Sequence, residues 1–285
     1  MKTNKQWHII PSGRVWVDPG GAFGLVPKPL WNEHQPLDSR GRIPMDLNCL
    51  LIHSEGKNIL IDTGMGDKLS EKKKTQWGLE WPEGNLIDNL ADHGICPEDI
   101  HVVINTHLHS DHCGGNTKII NGEIFPTFPR ADYWVQRMEF AEAILPNVRT
   151  KNTYFQENFK PLWKLGRLKL LHGNVSLTSE VRCIVTPGHS AGHQCVIISL
   201  NNTPKILFLA DLSTYTVHMT RTAWVTAYDI APIELIRTKA SWQKWALENE
   251  ALLVFQHDSL TRLGKLIRNM QGRLEINTLE TGSYM

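Results

Sequence analysis

Residues 107–112 read His-Leu-His-Ser-Asp-His, and this stretch constrains the chain more than any other part of its sequence. It places three imidazoles and one carboxylate in a single turn, followed by Gly114 and Gly115. Zinc accepts imidazole and carboxylate ligands readily, and a catalytic zinc keeps one position open for water. So dense a group of ligands predicts a site for two cations side by side rather than an ordinary polar loop.

The residues around this stretch support the same interpretation. Residues 100–105 form a short apolar run that predicts a strand, and the histidines begin just beyond its carboxyl end. The glycines that follow let the backbone turn sharply into the next element. The histidines are therefore expected at the edge of a sheet. Cys113 lies beside them, and we interpret it as a packing residue or a pocket liner rather than a ligand.

Three further candidate ligands follow apolar runs later in the chain. His189 comes after the predicted strand 181–185, Asp211 after 206–209 and His257 after 251–255. Strand ends on one rim of a sheet bring distant residues together, and catalytic residues favour such rims. We therefore divide the predicted ligands between two metals. The predicted sets are His107, His109 and His189 for one metal, Asp111, His112 and His257 for the other, and Asp211 as the bridge.

The charge of such a site predicts its chemistry. Two dications, two aspartates and one bridging hydroxide sum to +1, which favours an oxyanion transition state and accepts neutral esters. Zinc is the expected metal, and cobalt, manganese and iron suit these donors nearly as well. A ligating imidazole usually donates its other N–H to a carboxylate or carbonyl, and Asp62 is the candidate for this supporting role. The alternative for Asp62 is a plain turn after a strand.

The composition limits the classes of function. The chain has 285 residues, of which 41% are hydrophobic and 21% charged, and its net charge of +1 argues against a nucleic-acid partner. Neither a signal peptide nor a membrane span is expected, because no apolar run is long enough. The five cysteines are an odd number and widely spaced, which indicates reduced thiols and a cytoplasmic protein.

The pattern of apolar runs predicts short strands that alternate with helices. Further strands are expected over 48–53, 58–61, 168–171 and 195–198, and helices over 84–95, 137–143 and 232–250. Residues 147–166 are polar and aromatic, so they form either a cap over a pocket or a surface excursion. The mixture predicts an α+β fold of stacked sheets with helices outside, in a single domain that spans residues 1–285.

Taken in order, Thr106 to His112, His189, Asp211 and His257 resemble the metallo-β-lactamase superfamily, and Asp62-Thr63-Gly64 also belongs to its pattern. The resemblance covers roughly residues 40–260, and its motifs are highly specific. It implies an αββα sandwich of two mixed β-sheets flanked by helices, with a dinuclear metal centre between the edges of the sheets.

Within that superfamily the chain most resembles the quorum-quenching N-acyl-homoserine lactonases. Residues 186–194 are similar to their third-ligand segment, and residues 20–31 resemble the YtnP-type branch. Residues 211–214 and 224–229 are also similar to the methyl parathion hydrolases. The resemblance implies a lactone or ester substrate, and a homodimer is expected from the family alone.

The resemblance implies hydrolysis by a metal-bridging hydroxide, with Asp111 or Asp211 as the general acid. Many of these lactonases have a tyrosine three residues after the bridging aspartate, where this chain has Thr214. Tyr215 and His218 are the two candidates to polarise the carbonyl in its place. A hydrophobic groove should hold the acyl tail, although core packing explains its candidate residues equally well. These candidates are Phe23, Leu25, Trp31, Met65 and Met138.

Other functions remain open at this point. A phosphotriesterase or aryl esterase of the methyl parathion hydrolase type keeps the metals and changes the substrate. An iron-dependent oxidoreductase on the same fold usually replaces one histidine of the motif with glutamate, and His109 argues against it. A glyoxalase-type thioesterase needs an extra helical domain, for which the residues after His257 are too few. The near-neutral charge argues against a nuclease, and the full set of ligands against an idle binding module.

Overall fold

The computed structural model describes residues 6–201 and 203–280, and in these ranges the backbone forms two large sheets and one small one. The strands are β1 (Trp7–Val17), β2 (Ile43–Ser54), β3 (Lys57–Ile61), β4 (Ile100–Ile104), β5 (Thr117–Ile120), β6 (Glu123–Pro126), β7 (Asp132–Gln136), β8 (Leu168–Leu171), β9 (Val175–Ser176), β10 (Val181–Val185), β11 (Gln194–Ile198), β12 (Ile206–Phe208), β13 (Leu252–Val254), β14 (Leu263–Arg268) and β15 (Leu274–Thr278).

Both large sheets are mixed. The first has the order β1-β2-β3-β4-β7-β8, with an antiparallel half from β1 to β3 and parallel pairing from β3 to β8. The second has the order β15-β14-β13-β12-β11-β10-β9 and is antiparallel except where β12 pairs with β13. β5 and β6 form a separate hairpin. The predicted pair of mixed sheets is confirmed.

Several of the helices lie on the outer faces of the two sheets. The helices of the described residues are α1 (Pro19–Phe23), α2 (Lys28–Trp31), α3 (Glu71–Trp77), α4 (Leu86–Asp92), α5 (Ser110–Cys113), α6 (Arg137–Ile144), α7 (Lys160–Lys164), α8 (Thr216–Thr220) and α9 (Pro232–Glu248). Residues of α4, α6 and α7 are buried in one core cluster with the outer face of the first sheet. α9 covers the second sheet in the same way, so the predicted αββα order is also confirmed.

The alternation of side chains along the strands explains this layering. In β3, Ile59 and Ile61 face the core between the sheets, whereas Leu60 faces the outer helices. In β13, Leu252 and Val254 face the same inner core, and Leu253 faces α9. β3 and β13 are apolar on both faces because other elements cover both faces. Continuous apolar runs of this kind are typical of buried strands.

The structure differs from the sequence prediction at several elements. β1 was not predicted, because Pro11 and Gly13 interrupt its apolar pattern; the register shifts between Pro11 and Arg14, which indicates a bulge. β7, β14 and β15 were not predicted either. The helix predicted over 84–95 is only the seven residues of α4. Residues 147–166 are not a surface excursion, because Tyr154 and Phe159 are buried in the core.

Among the described residues, no helix is long and apolar enough to cross a membrane.

The inner core should dominate the stability of the sandwich. Ile198 lies in β11 with 0% exposure, far along the chain from the histidine-rich turn. Changing Ile198→Ala removes buried methyl groups and leaves a cavity, so we expect the free energy of unfolding to fall by about 2–5 kcal/mol. Urea denaturation of the metal-loaded protein measures it. Leu170→Ala on β8 is the control, since Leu170 is exposed, and an equal loss from both variants would contradict this placement of the core.

Candidate metal centre

Four strands deliver the predicted ligands to one edge of the sandwich. The histidine-rich turn follows β4, His189 follows β10, Asp211 follows β12 and His257 follows β13. All of these histidines are buried, and Asp211 is 8% exposed. The ligand atoms fall into two groups in which they lie within 4.8 Å of one another. The groups are His107, His109, His189 and Asp211, and then Asp111, His112 and His257.

In the first group the nitrogens converge on a small volume. The Nδ1 atom of His109 lies 3.0 Å from Nε2 of His107 and 3.0 Å from Nε2 of His189. The Oδ2 atom of Asp211 lies 3.1 Å from Nε2 of His189 and 3.6 Å from Nε2 of His107. These four atoms surround a position that a single cation could occupy.

The second group is adjacent and uses the same aspartate. The Nε2 atoms of His112 and His257 lie 3.1 Å apart, with Oδ2 of Asp111 at 3.7 Å from the first and 3.9 Å from the second. Asp211 places Oδ1 at 3.1 Å from His257 and Oδ2 at 3.3 Å from His112. The carboxylate of Asp211 therefore lies between the two groups and is close to imidazole nitrogens of both.

The hydrogen-bond partners of the imidazoles fit cations. Asp62 and the Asp46 carbonyl accept from Nδ1 of His112 and of His257, so in the neutral rings the two Nε2 lone pairs face each other across 3.1 Å. Facing lone pairs repel unless something positive lies between them. Tetrahedral zinc with bonds of about 2.0–2.1 Å separates its ligands by roughly 3.3 Å. The spacing and the donor types both suit such an ion.

Burial favours the neutral form of two imidazoles in the first group, whereas for His189 the carboxylates of Asp211 and Asp229 outweigh burial and raise the pKa. Burial lowers the pKa of His107 and of His109 well below the ordinary value, and the neighbouring histidines lower both pKa values further. Burial opposes the charge on Asp211, but the facing histidines, with His189 first among them, hold the pKa of its carboxyl well below its usual range. Neutral imidazoles and an ionised carboxylate are the forms that bind a metal ion.

Asp62 lies behind this site at the end of β3. Its Oδ2 accepts from Nδ1 of His112 at 2.9 Å and from the Thr106 hydroxyl at 2.7 Å, while its Oδ1 accepts from the Thr106 amide at 2.8 Å. The Thr106 hydroxyl lies in turn 3.2 Å from Nδ1 of His107. One buried carboxylate thereby restrains the residue before the histidine-rich turn and two imidazoles within it.

Asp229 takes the equivalent place behind His189, and the sequence prediction missed it. Its Oδ1 lies 2.8 Å from Nδ1 of His189, and its Oδ2 accepts from the Thr226 amide at 2.7 Å. Asp229 follows no strand, so the strand-end argument could not find it. The available signal was its position in residues 224–229, which resemble a segment of related hydrolases.

His193 is a second residue that the prediction missed. Its Nε2 accepts the backbone N–H of Asp211 at 3.2 Å, and its Nδ1 lies 3.1 Å from the Thr186 carbonyl. Burial lowers the pKa of His193 to about 3, so it stays neutral and keeps the lone pair that the Asp211 amide needs. Ala210, which precedes Asp211, has a φ of 44°, a strained value for alanine. The hydrogen bond between the Asp211 amide and His193 helps to hold this conformation.

The two candidates for polarising a carbonyl differ in their contacts. Tyr215 is fully buried, and its hydroxyl donates to the Pro44 carbonyl at 3.1 Å. His218 accepts the Tyr215 amide on Nδ1 at 3.3 Å, which leaves the proton on Nε2. That Nε2 atom is buried and has no hydrogen-bond partner among residues 6–201 and 203–280. The hydroxyl of Tyr215 is thus already used, whereas the N–H of His218 is not.

The five residues suggested for a substrate groove do not lie together. Phe23, Trp31 and Met65 are buried in one apolar cluster that also contains Tyr215. The Phe23 ring stacks on Trp31 at 5.1 Å and lies 5.4 Å from the ring of His218. Leu25 is fully exposed and Met138 is 54% exposed, and neither belongs to that cluster. Their contact with a substrate stays a prediction.

Comparison with known proteins identifies the family. The sequence model of the metallo-beta-lactamase superfamily matches residues 43–257, which is most of the chain. The chain belongs to the metallo-beta-lactamase superfamily. The matched range begins at β2 and ends at His257, so it contains every ligand of the two groups.

Relatives and solved structures agree with this assignment. The chain is 27% identical to an N-acyl homoserine lactonase of Bacillus cereus over 233 residues, 74% of this chain and 77% of that protein. It is 26% identical to the N-acyl homoserine lactonase AttM of Rhizobium radiobacter over 224 residues, 73% of this chain and 80% of that one.

A crystal structure of a "probable metal-dependent hydrolase" from Staphylococcus aureus is 30% identical, with a TM-score of 0.86 over 98% of this chain and 99% of that one. The dizinc quorum-quenching lactonase AidC has the same fold, at 21% identity and a TM-score of 0.76 over 96% of this chain and 94% of that one. The protein is an enzyme, a metal-dependent hydrolase, as the histidine-rich turn predicted.

The geometry predicts that cations with the preferences of zinc stabilise the fold. We expect Zn²⁺ to raise the thermal midpoint of metal-stripped protein, because a ligand at 100 times its Kd adds about 2.7 kcal/mol to the free energy of unfolding. Mg²⁺ is the control, since it prefers oxygen ligands and keeps much of its water. Calorimetry measures both midpoints. Equal midpoints with Zn²⁺, with Mg²⁺ and without metal would exclude a metal site in these two groups.

Proposed function

We propose that this protein opens the lactone ring of N-acyl-homoserine lactones, using two divalent cations, most simply zinc. The observation that supports this most is the pair of adjacent ligand groups that share Asp211. The named relatives, which are N-acyl homoserine lactonases, support the choice of substrate.

The residues that hold the two cations follow from the two groups. His107, His109 and His189 would hold one, Asp111, His112 and His257 the other, and Asp211 would serve both through its two oxygens. A pair of such cations would lower the pKa of a water molecule, so that hydroxide would be available at neutral pH. Two dications, two aspartates and one hydroxide would sum to +1, which suits a neutral ester that becomes an oxyanion in the transition state.

Asp111 is the residue we propose as the general acid. Both oxygens of Asp211 lie 3.1–3.6 Å from imidazole nitrogens, so that carboxylate is committed to its position. The nearest imidazole nitrogens lie 3.7 and 3.9 Å from Asp111, and its side chain is 13% exposed. Asp111 is therefore the freer of the two to take a proton and pass it to the alkoxide that leaves when the ring opens.

His218 is the group we propose to donate a hydrogen bond to the lactone carbonyl. Its Nε2–H is buried without a partner in the described part of the chain, and an unpaired buried donor is costly unless a ligand satisfies it. Burial lowers the pKa of His218 to about 3, so the ring remains a neutral donor at neutral pH. Tyr215 instead supports the loop through Pro44. The buried aromatic cluster of Phe23 and Trp31 is the wall we propose for the acyl tail.

The remaining parts of the proposal concern the context of the enzyme. Residues 1–285 would form one catalytic domain that acts on a small molecule, without nucleic acid or membrane as a partner. The five cysteines are free thiols, which supports a cytoplasmic location. A homodimer stays an expectation from the family.

A substrate panel tests the main proposal. Zinc-loaded protein should hydrolyse N-hexanoyl- and N-decanoyl-homoserine lactone with kcat/KM of roughly 10⁴ M⁻¹s⁻¹ or more. Paraoxon and a phenyl ester should react far more slowly. The rate of acid release, followed with a pH indicator, measures the first reaction, and Asp211→Asn is the inactive control. Efficient cleavage of paraoxon with no opening of lactones would overturn the assignment in favour of a phosphotriesterase.

Variants of the two neighbouring candidates test the proposed donor. His218→Ala should lower kcat by about 10²–10³, the usual effect of losing a donor to an oxyanion. Tyr215→Phe should keep kcat near that of the unmodified enzyme, although loss of its hydrogen bond to Pro44 costs about 1–3 kcal/mol of stability. Steady-state kinetics and urea denaturation separate the two effects. The reverse result, an inactive Tyr215→Phe and an active His218→Ala, would assign the role to Tyr215.

A further inference from the structure

Glu139 is a fully buried carboxylate that the mechanism above does not use. It lies in the first turn of α6, with 0% exposure. Its Oε1 accepts the Leu108 amide at 2.9 Å and the Tyr154 hydroxyl at 3.1 Å, and its Oε2 accepts the Ser190 hydroxyl at 2.5 Å. Burial raises the pKa of Glu139, while its hydrogen bonds with Ser190, Leu108 and Tyr154 oppose that rise. Both carboxyl oxygens are therefore engaged by neighbouring groups.

Two of these three partners come from the segments that carry the first ligand group. Leu108 lies between His107 and His109, and Ser190 directly follows His189. These segments are about 80 residues apart in the chain, and they meet on the side chain of Glu139. One carboxyl group therefore links the His107–His109 segment to the His189 segment.

The backbone packing around Glu139 adds a second restraint. Gly192 approaches the start of α6 so closely that a Cβ atom on it would lie 2.2 Å from the Glu139 nitrogen. Only glycine allows that approach, so the segment after His189 rests directly on α6. The nearby Glu142 makes just one long contact with this segment, from the Ala191 amide at 3.4 Å.

His109 is the ligand that depends most on this arrangement. The outer nitrogens of the other four imidazoles face Thr106, Asp62, Asp229 and the Asp46 carbonyl. The outer nitrogen of His109, Nε2, has no hydrogen-bond partner in the parts of the chain described. Leu108 directly precedes His109 in the chain, and the centroid of the Tyr154 ring lies 4.9 Å from that of His109. Both of those groups are hydrogen-bonded to Glu139.

We propose that Glu139 is a positioning residue for the first ligand group, which sets the affinity for the cation held by His107, His109 and His189. It acts through hydrogen bonds to the two segments rather than through contact with the cation. The proposal rests on the proposed pair of cations. It assigns Glu139 to the first position, because each of its three partners adjoins a ligand of that group: Leu108 lies between His107 and His109, Ser190 follows His189, and the Tyr154 ring lies 4.9 Å from that of His109.

The test measures metal affinity instead of activity. Zinc-loaded protein is titrated with a chromophoric chelator, which yields the number of zinc ions per chain and a Kd for each. Glu139→Ala should lower the affinity for one of the two zinc ions by about 10–100-fold, as is usual when the partner of a ligand is removed. The affinity for the other ion should stay unchanged. Glu139→Gln should stay close to the unmodified protein, because its amide oxygen can accept from Leu108 and Tyr154 while its NH₂ donates to Ser190.

Two further variants complete the design. Glu142→Ala, on the same helix, is the matched control and should keep both affinities. Ser190→Ala removes a single hydrogen bond and should lower the affinity for the same ion by a smaller factor. This variant keeps the test valid if Glu139→Ala does not fold. Equal weakening of both ions, or no weakening in Ser190→Ala and Glu139→Ala, would overturn the role of Glu139. Fewer than two ions in the unmodified protein would instead overturn the proposed pair of cations, and this inference with it.

Discussion

The arrangement of this site depends on one buried carboxylate, that of Asp211, which lies between two sets of imidazole nitrogens. Its oxygens face His107, His112, His189 and His257 at 3.1–3.6 Å. Isolated from water, a carboxylate beside inward-pointing lone pairs is unfavourable unless positive charge is supplied. Protons can supply part of this charge, because neighbouring carboxylates outweigh burial and raise the pKa of His112 and of His189. Binding of metal to these imidazoles would then release protons, since a ligating imidazole must give up the proton on the nitrogen that binds.

The imidazoles are held by different parts of the fold, and this ties the two sheets together. Asp62 reaches His112 from the end of β3 in the first sheet. The Asp46 carbonyl on β2 accepts from His257, and the Asp46 amide donates to the His257 carbonyl, so that contact joins β2 to the segment after β13 in the second sheet. Asp229 holds His189 from the segment before α9. Because each ligand is restrained from a different direction, a shift of one sheet against the other would disturb the geometry at every position.

The sequence predicted those features that follow from strand periodicity and local motifs. His189, Asp211 and His257 were found because each follows an apolar run, and the sheets and their layers follow from the same runs. Asp229 was missed because it follows a loop and acts through a contact 40 residues away. β1 was missed because Pro11 and Gly13 interrupt the apolar pattern that would predict a strand. Such features depend on packing between distant segments, for which a local pattern contains no signal.

Tyr215 and His218 show the same limit within one helical turn. Tyr215 is the N-cap of α8 and His218 lies three residues further on, and both rings pack against Phe23, with centroids at 5.8 and 5.4 Å. Only the hydrogen bonds of their polar atoms distinguish the two, and a local sequence pattern contains no signal for these. In the proposed reaction a neutral His218 has a further consequence. The product is a carboxylate, and a further positive charge beside the cations would strengthen its binding and slow its release. Because burial lowers the pKa of His218 to about 3, this residue would donate a hydrogen bond to the carbonyl without adding that charge.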